Sequence, residues 1–175
     1  MLQTERLILR KWRFSDASYM YQYCSDNEVG PRCGFLPHKS IEVSKEIISN
    51  FINFCPYCYA ICKAEDINIP IGCIELMKRN EPNTLELGFW LGKPYWGYGY
   101  MKEAATAVMD YGFNELGVDK IICSHYEDNY NSKRVQEKLG FLFDHRVDNH
   151  YVSQLDKTVV QIVNVMTKER WNNIK

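Results

Sequence analysis

A Gly-x-Gly pair at Gly97 and Gly99, set between a strand-like run and a long amphipathic stretch, constrains this chain more than any other feature. It sits in Tyr95-Trp96-Gly97-Tyr98-Gly99-Tyr100-Met101-Lys102-Glu103-Ala104, and apolar residues continue at helical spacing through Ala105, Val108 and Met109 to Leu116. Glycine reaches positive φ without steric cost and lets another group approach the backbone closely. The N–H groups of such a turn can therefore converge on an anion at the positive end of the helix dipole, with no side chain required. Taken alone, two glycines also suit an ordinary strand-to-helix turn, so the flanking segments must decide.

Those segments place the predicted helix, about Gly99–Leu116, between strand patterns at Leu85–Leu91 and Lys120–Tyr126, a unit that demands parallel pairing. Met101, Ala104, Ala105, Val108 and Gly112 mark its buried stripe. Earlier in the chain, alternation predicts a strand from Glu5 to Trp12, then a helix near Ala17–Ser25 capped by Ser15 and Asp16. Val29–Pro37, with two glycines and two prolines, reads as an irregular surface loop, and Ser40 caps a second helix carrying Ile41, Ile47, Ile48, Phe51 and Ile52. Strands at Tyr57–Lys63 and Ile69–Lys78 join Leu85–Leu91 through turns at Ala64–Asn68 and Asn80–Asn83, short enough for antiparallel neighbours. A helix at Asn131–Leu139, a strand at Phe141–Arg146, a polar loop at Asp148–Asp156 and a strand at Lys157–Thr167 complete the pattern. The expected fold is α/β: one domain over residues 1–175, with a twisted mixed sheet of about seven strands flanked by about four helices.

Composition narrows the partners. Twenty-one Lys and Arg against 22 Asp and Glu give a formal net charge of −1, which leaves no basic field for direct nucleic-acid binding. No apolar run approaches the roughly 20 residues of a membrane span, and the start at Met1 lacks a signal-peptide layout, so the chain is expected in the cytoplasm. Seven cysteines, an odd number, fit free thiols in a chain of 175 residues. Cys55-Pro56-Tyr57-Cys58, with Cys62 nearby, also admits a redox or metal site. No second pair completes a tetrahedral set, however, and Cys58 and Cys62 fall on one strand face, so no metal is expected.

Three blocks together resemble the GNAT acetyltransferase superfamily, in the branch of the RimJ/RimL-type ribosomal-protein N-terminal acetyltransferases. They are Thr4-Glu5-Arg6-Leu7-Ile8-Leu9-Arg10 followed by Asp16; Glu86-Leu87-Gly88-Phe89-Trp90-Leu91 running to Trp96-Gly97-Tyr98-Gly99-Tyr100 and Glu103-Ala104; and Asn129-Tyr130-Asn131-Ser132 followed by Lys138-Leu139-Gly140-Phe141. The resemblance implies acetyl-CoA as cosubstrate and an amine-bearing acceptor, a peptide N-terminus or a small molecule, attacking the donor directly in a ternary complex. A homodimer stays open. A non-catalytic acyl-CoA-binding or regulatory domain is the alternative reading.

By that resemblance, Phe89, Trp90 and Leu91 would meet the pantetheine arm and the thioester carbonyl. Trp96, Gly97, Tyr98, Gly99, Tyr100 and Met101 would form the pyrophosphate loop, with Asn129, Ser132 and Lys133 contributing from the next helix. Two positions depart from the family: Pro94 stands where a side-chain donor is usual, and Gln136 where many members carry a proton-donating Tyr. Acyl transfer to an amine needs a base, because an α-amine (pKa about 8) or a lysine amine (about 10.4) is protonated at neutral pH. Glu86 is the first candidate, a solvated strand charge being its other reading, and Glu75 is the reserve. Ser132 either caps its helix or gives a hydrogen bond to the departing thiolate. His125 and His145 fall within strand patterns and read as structural. The acceptor is expected against the Val29–Pro37 loop, the second helix and Asp148–Asp156, where Tyr19, Tyr23, Phe35 and Tyr151 line it or simply pack.

Overall fold

A computed structural model describes residues 1–175. Eight strands form one open sheet: β1 (Leu2–Gln3), β2 (Leu7–Arg10), β3 (Cys58–Lys63), β4 (Asp66–Lys78), β5 (Thr84–Leu91), β6 (Lys120–Tyr126), β7 (Leu142–Val152) and β8 (Lys157–Thr167). Their spatial order is β1-β2-β3-β4-β5-β6-β8-β7, and only the β5–β6 pair is parallel. Five helices cover it: α1 (Ala17–Cys24), α2 (Ile41–Phe54), α3 (Tyr100–Asn114), α4 (Tyr130–Leu139) and α5 (Lys168–Ile174). A parallel pair cannot be closed by a hairpin, so α3 is the crossover that the strand-helix-strand reading anticipates.

Strand alternation sends side chains to two cores. One face of β4 and β5, carrying Ile74, Leu76, Leu85, Leu87 and Leu91, packs with Ala104, Ala105, Val108, Met109 and Phe113 of α3. The other face places Cys58, Ala60 and Cys62 of β3, Cys73 of β4 and Trp90 of β5 against Met20 and Tyr23 of α1 and Ile48 of α2. Cys58 and Cys62 do share a face, as small buried apolar groups. Burial pushes the Cys62 thiol up to about 11 and the Cys73 thiol well above its ordinary range. All seven cysteines are free, and no group of three or more His, Cys, Asp or Glu is placed to hold a metal. No helix is long and apolar enough to cross a membrane.

The structure departs from the sequence expectation in several places. The sheet has one more strand than expected because the two-residue β1 adds an edge, and β2 is shorter than Glu5–Trp12. Ser15 and Asp16 do not cap α1 through their side chains. Asp16 instead accepts two guanidinium bonds from Arg10 (2.7 and 2.8 Å) and the Arg13 N–H (2.8 Å), which anchors the start of the helix to the sheet. Asp148–Asp156 is not a loop throughout: β7 continues to Val152 and pairs with β8 as a long ribbon, exposed on both faces along most of its length. Its polar side chains lack the alternation that marks a half-buried strand. The closing helix α5 is an addition to the expected pattern. It is short and mostly polar, capped by the Thr167 hydroxyl on Arg170 N–H (3.2 Å) and docked by the Trp171 indole donating to Asp110 at 2.7 Å.

Candidate active site

Strands β5 and β6 pair only from Thr84–Lys120 to Glu86–Ile122 and then separate. Beyond that point β5 stays bonded to β4 and β6 to β8, so the sheet opens without coming apart. The opening holds a cavity of about 400 Å³. It is lined by residues of both sheet faces: Leu87, Phe89, Leu91 and Met101 from the α3 side, and Glu86, Gly88 and Trp90 from the α1–α2 side. The cavity therefore passes through the sheet and has two chemically distinct ends.

The first end is the start of α3. Gly97 (φ 87°) and Gly99 (φ 81°) both adopt the left-handed region, which favours glycine over residues bearing Cβ. Nothing lies within 4 Å of where a Gly97 Cβ would sit, so the demand there is conformational. Glu103 N–H donates to Gly99 O (3.1 Å) and opens the helical ladder, so the preceding N–H groups project from the helix start, as such groups do. Gly97, Gly99, Tyr100, Met101 and Lys102 line the cavity. Pro94 lies in a short turn, Lys93–Tyr95, that brings the Trp96 indole to donate to Leu91 O at 2.7 Å.

The second end lies on the α1–α2 face. Glu86 is buried at the apex of the splay, paired with Arg79 and accepting from the Ser124 hydroxyl at 3.1 Å. Glu75 faces Gly88 across the β4–β5 pair. Burial, and then the charge of Glu86, pushes its carboxyl above the ordinary range. A Cβ at Gly88 would come within 2.9 Å of Met77 Cε and 3.4 Å of Glu75 Cγ, so the glycine makes room for both side chains. The loop after α1 closes over this end: Cys33 Sγ approaches Phe89 O at 3.7 Å, and Asn129 Nδ2 donates to Arg32 O at 3.1 Å.

Between the ends, one buried amide sets the direction of several hydrogen bonds. Gln136 Nε2 donates to the Ser124 carbonyl (3.3 Å), an obligate acceptor, which fixes which end of the amide is nitrogen. The same nitrogen donates to Ser132 Oγ at 3.1 Å, and Gln136 Oε1 accepts from Asn164 at 2.7 Å. Ser132 Oγ is thus already an acceptor from within the protein, and its own hydrogen is free to turn into the cavity that it lines.

Most of the expected cofactor residues meet here: Phe89, Trp90, Leu91, Trp96, Gly97, Gly99, Tyr100, Met101, Asn129 and Ser132 all line the cavity. Two do not. Tyr98 is exposed and stacks on Tyr100 with ring centroids 5.9 Å apart, and Lys133 points to Glu137, 3.9 Å away on the outer side of α4. Arg134 and Lys138 line the cavity instead, and with Asn131 and Val135 they form a stripe at helical spacing that would have revealed them. Tyr19, Tyr23, Phe35 and Tyr151 are absent from the lining; Tyr95 and Tyr126 join Phe89, Trp90, Trp96 and Tyr100 in its aromatic surface. Tyr23 packs edge-on to Tyr95, their hydroxyls 3.1 Å apart. His125, given little weight as a base, does line the cavity, and its Nδ1–H donates to Tyr126 O at 2.8 Å. His145 is exposed beside Asp144, outside the site.

The acetyltransferase (GNAT) domain family matches residues 6–142. The chain is 31% identical over 144 residues to an uncharacterized N-acetyltransferase of Bacillus subtilis (strain 168), YnaD, covering 79% of this chain and 81% of the relative. A GNAT-family acetyltransferase structure from Bacillus anthracis superposes with a TM-score of 0.86 at 25% identity, over 97% of this chain and 99% of that one. A ribosomal-protein-S5-alanine acetyltransferase from Vibrio fischeri shares the fold at 18% identity, with a TM-score of 0.77 over 98% of each chain.

Proposed function

The chain belongs to the GNAT acetyltransferase family, and from that premise we propose that residues 1–175 form one catalytic domain of its RimJ/RimL-like branch, moving an acetyl group from acetyl-CoA to a primary amine. Members of the family use acetyl-CoA and act on amine acceptors. The observation that carries the finer reading is the through-sheet cavity, which joins the amide-rich start of α3 to a carboxylate on the opposite face.

The residues present fit the donor. The left-handed glycines and the helix start supply N–H groups for a diphosphate, with Lys102, Arg134 and Lys138 adding positive charge along the same wall. The parted edge of β5 at Phe89–Leu91 supplies N–H and C=O groups for the amides of the pantetheine arm and for the thioester oxygen. When bound, acetyl-CoA supplies an activated acyl carbon and a thiolate leaving group. Glu86 takes one proton from the acceptor ammonium, directly or through water, and frees the nitrogen lone pair to form the C–N bond as the C–S bond breaks; the second proton leaves the nitrogen to water, from which the thiolate is protonated to the thiol. Ser132, held as acceptor by Gln136, turns its hydroxyl hydrogen to the departing sulfur, a hydrogen bond in place of the family's tyrosine proton. Asn129 caps α4 by accepting from Ser132 N–H (3.2 Å), so it positions the serine.

One observation favours a second reading of the base. Glu86 is already held by Arg79 and Ser124, whereas Glu75 carries the raised carboxyl. Substituting each with Gln separates them: the true base is the one whose loss removes the acidic limb of the kcat/KM profile.

The acceptor class is tested by measuring thiol release from acetyl-CoA against amines, polyamines and peptides with free N-termini. Release above the hydrolytic background with at least one class is expected. Tight coenzyme binding without release for any amine would instead make the domain a coenzyme-binding module.

A further inference from the structure

The segment Thr4-Glu5-Arg6 and the carboxylate of Glu103 take no part in the chemistry assigned above, yet they meet behind the Gly97–Gly99 turn. Thr4 Oγ1 donates to Glu103 Oε1 at 2.6 Å, and the Arg6 backbone N–H donates to the same oxygen at 2.8 Å. The Arg6 side chain engages the other oxygen through Nε at 2.7 Å and Nη2 at 2.6 Å. Although partial burial pushes the Glu103 carboxyl upward, these bonds from Thr4 and Arg6 hold it below its ordinary range. The remaining arm of the guanidinium, Nη1, donates at 3.1 Å to the carbonyl of Tyr98, the residue between the two glycines. The guanidinium also lies over the Tyr100 ring, 4.8 Å from its centroid.

The geometry of a trans peptide gives this contact a consequence. The Tyr98 carbonyl and the Gly99 N–H belong to one plane and point in opposite directions. Gly99, on one side of that plane, has the φ freedom that makes its rotation easy, and a half-turn would present a carbonyl oxygen where an anion needs a donor. Arg6 does not line the cavity, whereas Gly97 and Gly99 do. A carbonyl held on Arg6 therefore leaves the Gly99 N–H facing the other way.

We propose that Arg6, keyed to α3 through Glu103 and Thr4, is a positioning residue that locks the Tyr98–Gly99 peptide with its N–H toward the coenzyme diphosphate and so sets the affinity for the donor. The proposal rests on the reading that this turn holds the diphosphate of acetyl-CoA.

The test compares dissociation constants of coenzyme A and of pantetheine, which lacks the diphosphate, for the full chain and its variants. Arg6→Ala is expected to weaken coenzyme A about tenfold, the size of one hydrogen bond to a charged group, and to leave pantetheine within about twofold. Arg6→Lys keeps the charge without the three-armed fork and is expected to fall between wild type and Arg6→Ala. Where Arg6→Ala folds poorly, Arg6→Lys and Glu103→Gln carry the same comparison, read beside their melting temperatures. Equal weakening of both ligands, or none for coenzyme A, would overturn the positioning role. If the wild-type protein binds coenzyme A no better than pantetheine, the diphosphate reading fails first, and the proposal with it.

Discussion

The two ends of the cavity are built from different materials. The end at the start of α3, proposed for the donor, is mainly backbone: two left-handed glycines, a helix start, and a peptide plane held from behind by Arg6. The other end, proposed for the acceptor, is side chain: Glu86 of β5 in the lining with Glu75 of β4 outside it, a loop pinned by Asn129, and a helix anchored by the buried Arg10–Asp16 pair. Backbone sites serve any ligand with the right charge and shape, so one turn can serve a family whose members differ in acceptor. Side-chain sites change with single substitutions. That contrast explains why the fold names the donor and leaves the acceptor to experiment.

The contrast can be broken most severely at its anchor. Asp16→Ala leaves Arg10 charged and buried with only the carbonyls of Ile67 and Lys11 as acceptors, and a loss of about 3–5 kcal/mol in urea melts is expected. The acceptor end should loosen first, so amine KM should rise before coenzyme affinity falls. A loss under 1 kcal/mol would mean that the pair is bystander chemistry.

Next in size comes Glu86→Gln, expected to lower kcat/KM for the amine about 100-fold while the coenzyme A dissociation constant stays within about twofold. The pH profile decides between the carboxylates. Because burial and the charge of Glu86 raise the Glu75 carboxyl, an acidic limb above pH 4.5 that disappears in Glu75→Gln would transfer the role to Glu75.

At the donor end the expected effects are smaller and opposite in kind. Gly99→Ala forces a Cβ into the left-handed region at φ 81°, a strain of about 1–2 kcal/mol, and should raise the acetyl-CoA KM about tenfold with kcat nearly constant. A fall in kcat with unchanged KM would place the turn in the chemical step rather than in binding.

Smallest is Ser132→Ala, expected to reduce kcat about threefold to tenfold at saturating acetyl-CoA, the scale of one hydrogen bond of about 1 kcal/mol. Full turnover would return Ser132 to a capping position alone.

The same division governs what was legible in the sequence. Gly97, Gly99 and the apolar stripe of α3 were readable because backbone conformation and helical periodicity are local properties of a short segment. Glu86 could be named, but its partners could not: Arg79 and Ser124 reach it by the turn of a hairpin and by a crossover. Lys133 is expected in the cavity and Arg134 and Lys138 line it instead, because a role carried to Lys133 by resemblance takes no account of the phase of α4, which the apolar Val135 marks beside Arg134 and Lys138. Tyr98 was grouped with its neighbours although a residue between two left-handed glycines is turned outward. Arg6 read as part of a good strand, since its partner, Glu103, is distant in the chain.

The parting of β5 from β6 gives a single strand two regimes of hydrogen exchange. Successive N–H groups along a strand alternate sides, so up to Glu86 every amide of β5 has a neighbouring strand, and beyond it every second amide faces the cavity. Solvent deuterium should therefore enter Gly88–Leu91 in an alternating pattern, with protected positions held by β4 beside unprotected ones. A donor seated along that edge would slow only the unprotected set, leaving a residue-by-residue footprint of its path through the sheet.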